Sequence, residues 1–537
     1  MLPFDSLQLQ YHQLNLPEML EAIKSLEGAN IAITSISIAV STVLLYVLYP
    51  SKRPRPHNWV PVVPYTIPYI GNGLELGRDA KGFIDQCKSK YGPVFQILTM
   101  KSLSHFIVSK SYSYGRTMVV VTGRYAGECL KMGDDFLSFE EGLLDILPVA
   151  RIIEVSYSKR KRQTGPEFDY TKNPLIRTIR NNFKTHQLAT FQERVKHAVS
   201  MSIEQDVVFE PGNDYAVINM PFVQSMMVRI SGLIFAGQAV GGNSELLEAM
   251  SEYSQSIFNA SILYMIFPGV VADFITRHTM SVGRHIGIMM KVLTPVLAQL
   301  VEDEEKSGKK QPMDFMHMML HTPNSRGKIP TAEETAFWLQ DAAFASLHTT
   351  SLFTILALHN LSDRPDIQKL LRKEMDQTRD KMGEITLDTI KHMPIVDSFV
   401  RETLRLGGDF IGMNHKAMRD VILSNGVLIP KGTSVGMALN DAHLDPEVQN
   451  AFKRDIPLTE FDALRFIDEP SKKSTSVGPD LLVFGMGHHA CPGRYLATHQ
   501  IGYIVVRMLQ EFDITACTAN GARAINTLAL VSGICAP

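Results

Sequence analysis

The stretch 484-FGMGHHACPGRYLA-497 places a single cysteine, Cys491, behind a glycine-punctuated turn and ahead of an apolar run. Gly485 and Gly487 permit positive φ, so the loop can fold back and aim backbone N–H groups at one atom. The spacing predicts Cys491 at a helix N-cap and Pro492 at the first helical position, where its missing N–H costs nothing. A sulfur there meets the positive end of the helix dipole and unpaired N–H donors, both of which favour the thiolate. A stabilised thiolate is a nucleophile or a metal ligand. No base is placed as a Cys-His hydrolase would need, and the neighbouring basic groups suit an acidic prosthetic group.

Two further groups of residues carry chemistry. In 402-ETLR-405, Glu402 and Arg405 share a helix face at i, i+3 and can pair with each other and with a third group. In 345-ASLHTT-350, His348 and Thr349 put a proton carrier and a hydroxyl inside an apolar run.

Several elements must hold these residues. Residues 331–361 predict one long helix, opened by a Thr331/Glu334 capping box and apolar nearly all round, hence buried. About 30 residues at 1.5 Å each make roughly 45 Å of helix. Residues 493–512 predict a second apolar helix, directly after the cysteine. The segment 420-DVILSNGVLIPKGTSV-435 reads as two strands around an Asn-Gly turn, with Pro430 and Lys431 opening another turn. Helical patterns dominate from 174 to 405, so the body is mainly α with a small β portion.

The whole chain has 537 residues and a formal net charge of −2, which gives no electrostatic case for nucleic acid. Its five cysteines are odd in number, scattered and without a CxxC pair, which argues against a disulfide framework or a cysteine zinc site. Residues 30-NIAITSISIAVSTVLLYVLYP-50 are uncharged and reach the length of a bilayer span, about 20 residues. Lys52, Arg53 and Arg55 follow, so the positive-inside rule keeps the body cytoplasmic. The expected organisation is a lumenal segment 1–29, an anchor 30–50, a proline-rich hinge 51–72 and a catalytic domain 73–537. The 71-GNGLELG-77 stretch lacks GxGxxG spacing and the strand–turn–helix context of a dinucleotide loop. The basic stretch 158–173 reads as an exposed loop.

The spacing Phe484-x-x-Gly487-x-His489-x-Cys491-x-Gly493-x-x-x-Ala497 resembles the heme-binding loop of the cytochrome P450 family at every fixed position. The resemblance covers about residues 60–537 and is firmest from 331 onward. It implies a mainly α heme-thiolate fold, preceded here by one transmembrane helix. It implies heme b with Cys491 as the axial ligand of iron, Phe484 beside the sulfur, Gly485 in the cradle and His489 toward a propionate. His415, in 415-HKAMRD-420, falls where the family points a basic residue at the other propionate. Glu402 and Arg405, joined by Arg465 from 461-FDALRF-466, would lock the cysteine loop. Thr349 would be the hydroxyl near bound dioxygen, passing protons through water. Ser346 and His348 depart from the family's usual glycine and acid, which leaves the route of proton delivery open. His488 has no family role. No Trp-x-x-x-Arg pair occurs around 174–200, and Arg177, Arg180 and His186 are the possible substitutes.

The implied activity is a monooxygenase that inserts one oxygen atom of O2 into a C–H bond of a hydrophobic molecule. No flavin or nicotinamide segment is present, so electrons would come from a separate NADPH-cytochrome P450 reductase, with basic residues after the anchor and around Lys159–Arg162 helping it dock. The chain would sit in the endoplasmic reticulum membrane as a single-pass protein in contact with lipid. The motif variants resemble fungal enzymes of terpenoid and other specialised metabolism; a steroid or a fatty acid would fit the same residues. A reductase-independent isomerase or dehydratase acting on a peroxide is the alternative, opposed by Thr349. A heme-binding sensor is the third class.

Overall fold

The computed structural model describes residues 59–65, 71–99, 116–157, 173–209, 211, 215–267, 269–307, 314–362, 364–408, 411–449, 454–519 and 522–532. The expected anchor 30–50 and the Lys159–Arg162 loop lie outside them. Residues 59–65, within the expected hinge, already belong to the body: Val60 and Val63 are buried, and Trp59 and Val62 bridge to Leu428 and Gln96. A six-residue helix, Gly73–Arg78, does follow Gly71, although the glycine spacing of a dinucleotide loop is absent.

The long helix spans Ala332–Ser362 and is the axis of the body. The Thr331 hydroxyl accepts from the Glu334 N–H at 3.1 Å, and the Glu334 carboxylate accepts from the Thr331 N–H at 3.0 Å, so the capping box is formed in both directions. The next helix, Pro365–Met382, starts on a proline, which keeps Arg364 out of the helical region and turns the chain. Around the central helix pack Met220–Phe235, Ser244–Ile266, Val282–Ser307, Pro394–Leu406 and Arg494–Glu511. Among the described residues, Val282–Ser307 and Ala332–Ser362 are long and apolar enough to cross a membrane, and both are body helices packed on neighbours.

Strands form a small fraction, as the sequence indicates. One sheet has the order β1-β2-β8-β5-β3, from Val94–Thr99, Arg116–Val121, Ser434–Met437, Gly412–Ala417 and Leu137–Ser138. β2 and β8 run parallel, and the other pairs are antiparallel. A second sheet orders β4-β10-β9, from Tyr215–Asn219, Ala522–Ser532 and Phe512–Ala519. The Asn-Gly hairpin forms as β6, Val421–Ile422, and β7, Leu428–Ile429, with Gly426 at φ 81°.

The helix Pro394–Leu406 fixes the loops that lead to the cysteine. Arg405 grips Glu402 with two bonds, Nε at 2.7 Å and a terminal nitrogen at 2.8 Å. Arg465 donates to the same carboxylate at 2.9 Å, and the Asp462 N–H adds a bond at 3.1 Å. All three charged side chains are 0% exposed. Arg465 then spends its remaining donors on the carbonyls of Ile456, Pro457 and Glu460. Arg401, also buried, ties the Lys473 carbonyl and Asp480 to the same helix.

His443 extends this lock. Its Nε2 accepts the Leu482 N–H at 2.8 Å, so Nδ1 carries the hydrogen and donates to the Arg405 carbonyl at 2.9 Å. Burial, opposed by the Arg405 carbonyl, pushes its pKa down to about 4. The neutral ring thus joins the Arg405 helix to the chain two residues before Phe484.

Two outcomes follow. Arg465→Leu leaves a buried carboxylate short of a partner and should lower unfolding free energy by about 3–5 kcal/mol, read by chemical denaturation. His443 is neutral when folded and binds a proton more readily when unfolded, so its contribution is full above pH 6.5 and lost as pH falls toward 4. The total loss is on the order of 3 kcal/mol, and a denaturation midpoint that does not move between pH 7 and 4.5 would contradict it.

Candidate heme-thiolate site

The cysteine loop turns as the glycines predict, with Gly485 at φ 66° and Gly487 at φ 62°. The Cys491 N–H donates to the Phe484 carbonyl at 2.7 Å and closes the turn. The helix start differs from expectation. The helix is Arg494–Glu511 with Gly493 as N-cap, so Cys491 lies two residues before the cap and Pro492 is not helical. The N–H groups of Gly493 and Arg494 still act on the sulfur and favour its thiolate. The charge balance differs as well. Burial dominates and pushes the Cys491 thiol up, while those N–H groups and the Arg494 guanidinium pull it down less strongly. Desolvation outweighs the helix dipole at this sulfur. A bound metal cation reverses this, since a coordinating thiol is deprotonated outright.

The two histidines meant for the propionates come together on one aromatic ring. Phe139 lies 5.5 Å from His415 and 5.6 Å from His489, centroid to centroid. Phe139 opens the helix Phe139–Ile146, whose N-cap Ser138 accepts from the Glu141 N–H. This helix lies directly on β5, and Gly142 allows the contact: a Cβ there would fall 2.3 Å from the His415 Cα. β5 itself is irregular between Gly412 and His415, and Met413 has φ 47°. The irregularity lets the Met413 carbonyl meet His415 Nδ1 at 2.7 Å, which aims Nε2 away from the strand. Burial pushes the His415 pKa down, although the Met413 carbonyl opposes it. His489 Nε2 sits 2.6 Å from Asp134, which also meets His488 at 3.2 Å. His488 therefore has a carboxylate partner rather than solvent alone.

On the central helix, Thr349 back-bonds to the Ala345 carbonyl at 2.9 Å. Ala345 and Thr349 are exposed, one turn apart, while Ala343, Leu347, Thr350 and Ser351 are buried. With Leu352 also exposed, the face carrying Ala345 and Thr349 is uncovered at the place where the motif sits. Ser346 bonds Ser231 of the helix Met220–Phe235 at 3.0 Å, a polar tie that the usual glycine cannot make. His348 points elsewhere than Thr349: its ring stands edge-on to Phe258 at 4.9 Å and its buried Nε2 has no hydrogen-bond partner. Burial pushes its pKa down, so the ring is neutral.

Of the three substitutes for the missing Trp-x-x-x-Arg pair, Arg180 reaches the cysteine loop and donates to the His488 carbonyl. Arg177 instead bonds the carbonyls of Pro323 and Asn324. His186 lies in the short turn Thr185–Phe191. Asp341 escapes the sequence reading altogether. It lies seven residues before His348 and nearly in line with it on the helix, accepts from Asn173 at 2.8 Å, and burial pushes its pKa up to about 7. An acid inside an otherwise apolar helix was its one available signal.

These residues fit a heme held by a cysteine. They offer one sulfur in a glycine turn closed by the Phe484 carbonyl, two imidazoles on one ring and a helix with an uncovered face at Thr349. The fold and site thus define a heme-thiolate protein. Residues 150–533 match the sequence profile of Cytochrome P450, and the chain belongs to the cytochrome P450 family. It is 24% identical to Cytochrome P450 monooxygenase 103 of Postia placenta over 88% of this chain and 92% of the relative. It is 26% identical to Cytochrome P450 monooxygenase BOA4 of Botryotinia fuckeliana over 58% of this chain and 65% of that protein. Cytochrome P450 monooxygenase ltmQ of Epichloe festucae var. lolii matches at 24% over 93% of both. The retinoic acid bound cyanobacterial CYP120A1 superimposes with a TM-score of 0.62 over 89% of this chain and 100% of that one, at 18% identity, which establishes the fold. The chain is an oxidoreductase of the monooxygenase class.

The raised Asp341 carboxyl generates a direct test. Infrared difference spectra should show a protonated carboxyl band that fades as pH rises through about 7 and is missing in Asp341→Asn. A band unaltered by that substitution would count against the assignment.

Proposed function

We propose that the chain binds heme b through Cys491 and hydroxylates a hydrophobic molecule of terpenoid or other specialised-metabolite type. The observation that carries this is Cys491 held in a glycine turn by its N–H bond to the Phe484 carbonyl, inside a loop locked by Glu402, Arg405 and Arg465. When bound, the heme supplies dioxygen binding and O–O cleavage favoured by thiolate donation. The protein's own residues do the rest. Phe484 packs near the sulfur and limits water. His415 and His489 hold the acidic propionates, with Asp134 and the Met413 carbonyl orienting their rings. The Thr349 hydroxyl leaves its back-bond to Ala345 to hand protons to water at the uncovered face. His348, neutral and turned to Phe258, shapes the wall of the pocket instead of relaying protons.

The substrate pocket is apolar around Phe258, Phe344 and Ala345, with the Asp341–Asn173 pair as a polar anchor two turns from Thr349. This pattern suits a lipophilic skeleton bearing one oxygen function. The relatives named above are cytochrome P450 monooxygenases, which supports the reaction class.

Electrons come from a separate NADPH-cytochrome P450 reductase. A cleft of about 310 Å3 beside the cysteine loop is floored by apolar residues such as Ile179, Phe183 and Val477, and its basic residues Arg180, Lys184 and Arg494 give an acidic donor a landing site. The uncharged run 30–50 anchors the chain in the endoplasmic reticulum membrane with the body cytoplasmic.

The test is a reduced carbon-monoxide difference spectrum on membranes carrying the protein. A red-shifted Soret band that disappears in Cys491→Ala is expected; a band that survives the substitution would overturn the proposal. With a substrate in hand, Thr349→Ala should lower product formed per NADPH consumed by roughly tenfold while leaving the spectrum intact. Undiminished coupling in that variant would assign Thr349 to the back-bond alone.

A further inference from the structure

We propose that Glu304, His317 and His321 form a binding site for a divalent ion of the zinc class, separate from the heme site. Glu304 lies in the last turn of the helix Val282–Ser307. His317 lies in the helix Phe315–Leu320, and His321 is that helix's C-cap. Residues four apart share a helix face, so the two imidazoles project side by side, with ring centroids 4.6 Å apart. Asp314 caps the helix by accepting the His317 N–H at 2.9 Å, which fixes where that pair begins.

The carboxylate meets both rings. Glu304 Oε1 contacts His317 Nε2, and Oε2 lies 2.9 Å from His321 Nε2. The three ligand atoms all lie within 4.8 Å of one another. Tetrahedral zinc at 2.0–2.2 Å from nitrogen and oxygen holds its ligand atoms roughly 3.3 Å apart, so small side-chain rotations suffice. A His pair at i, i+4 with one carboxylate and an open fourth position is a donor set that zinc uses. Two imidazole nitrogens disfavour calcium and magnesium, which take oxygen ligands. His317 is 3% exposed and held rigidly, whereas His321 is 38% exposed and gives an ion its entry from solvent.

The ion would cross-link two helices. Val282–Ser307 packs along the central helix, and Phe315–Leu320 packs on the central helix and on Leu175–Asn182. Pinning their junction stabilises the folded state by mass action and stiffens the distal side of the body.

The experiment uses full-length, heme-loaded protein, purified without a histidine tag and stripped with chelator, then titrated calorimetrically with zinc chloride. About one equivalent should bind with micromolar affinity, accompanied by a higher melting temperature. His321→Ala and Glu304→Gln should each weaken binding by about tenfold or more. Both change side chains near the surface, and an unchanged Soret band will show that the body and its heme are intact in each. No saturable binding below about 100 μM would overturn the site and leave a hydrogen-bonded His–Glu–His cluster. Binding insensitive to both substitutions but lost in Asp134→Ala would also overturn it, since the ion would then sit on Asp134, His488 and His489.

Discussion

One carboxylate organises the proximal half of this protein. Glu402, with no solvent contact, is shared between two guanidinium groups and a backbone N–H. Burying three charges is costly, and an apolar replacement of the whole set would be nearly neutral in stability. What the set supplies is geometry. Arg405 aligns with its own helix, while Arg465 gathers three carbonyls of the 454–466 loop that side chains of fixed shape could not reach together. His443 then passes the alignment to Leu482 through a neutral ring with one donor and one acceptor, a role that a protonated imidazole cannot fill.

The cysteine loop inherits that alignment. Its electrostatics separate a ligand from a nucleophile. In the protein alone, desolvation holds Cys491 as a thiol in spite of its N–H donors. A catalytic nucleophile needs the reverse balance, with the thiolate present before substrate arrives. A metal ligand needs only a free, partly accessible sulfur that the cation, once bound, deprotonates. The loop meets the second requirement, in agreement with the family to which the chain belongs.

The opposite wall shows how departures from a family motif are absorbed. Serine in place of glycine at 346 finds Ser231 on the adjoining helix. Histidine in place of an acid at 348 turns onto Phe258 and stays uncharged. Past its first turn, the helix carries an acid instead at 341, two turns away, held by Asn173 and with its pKa pushed up to about 7 by burial.

The sequence alone determined whatever depends on neighbours along the chain. The capping box of the central helix, the Asn-Gly hairpin, the glycine turn before Cys491 and the i, i+3 pairing of Glu402 with Arg405 are all local consequences of residue type and spacing. Even there the helix after the cysteine begins two residues later than Pro492 suggests, with Gly493 as its N-cap. Tertiary structure decided the rest. His443, Asp341 with Asn173, the Met413 irregularity that aims His415, and the Glu304–His317–His321 cluster each join residues from different elements. Their ionisation follows from burial, which is a sum over all surrounding elements and has no counterpart in the order of the residues.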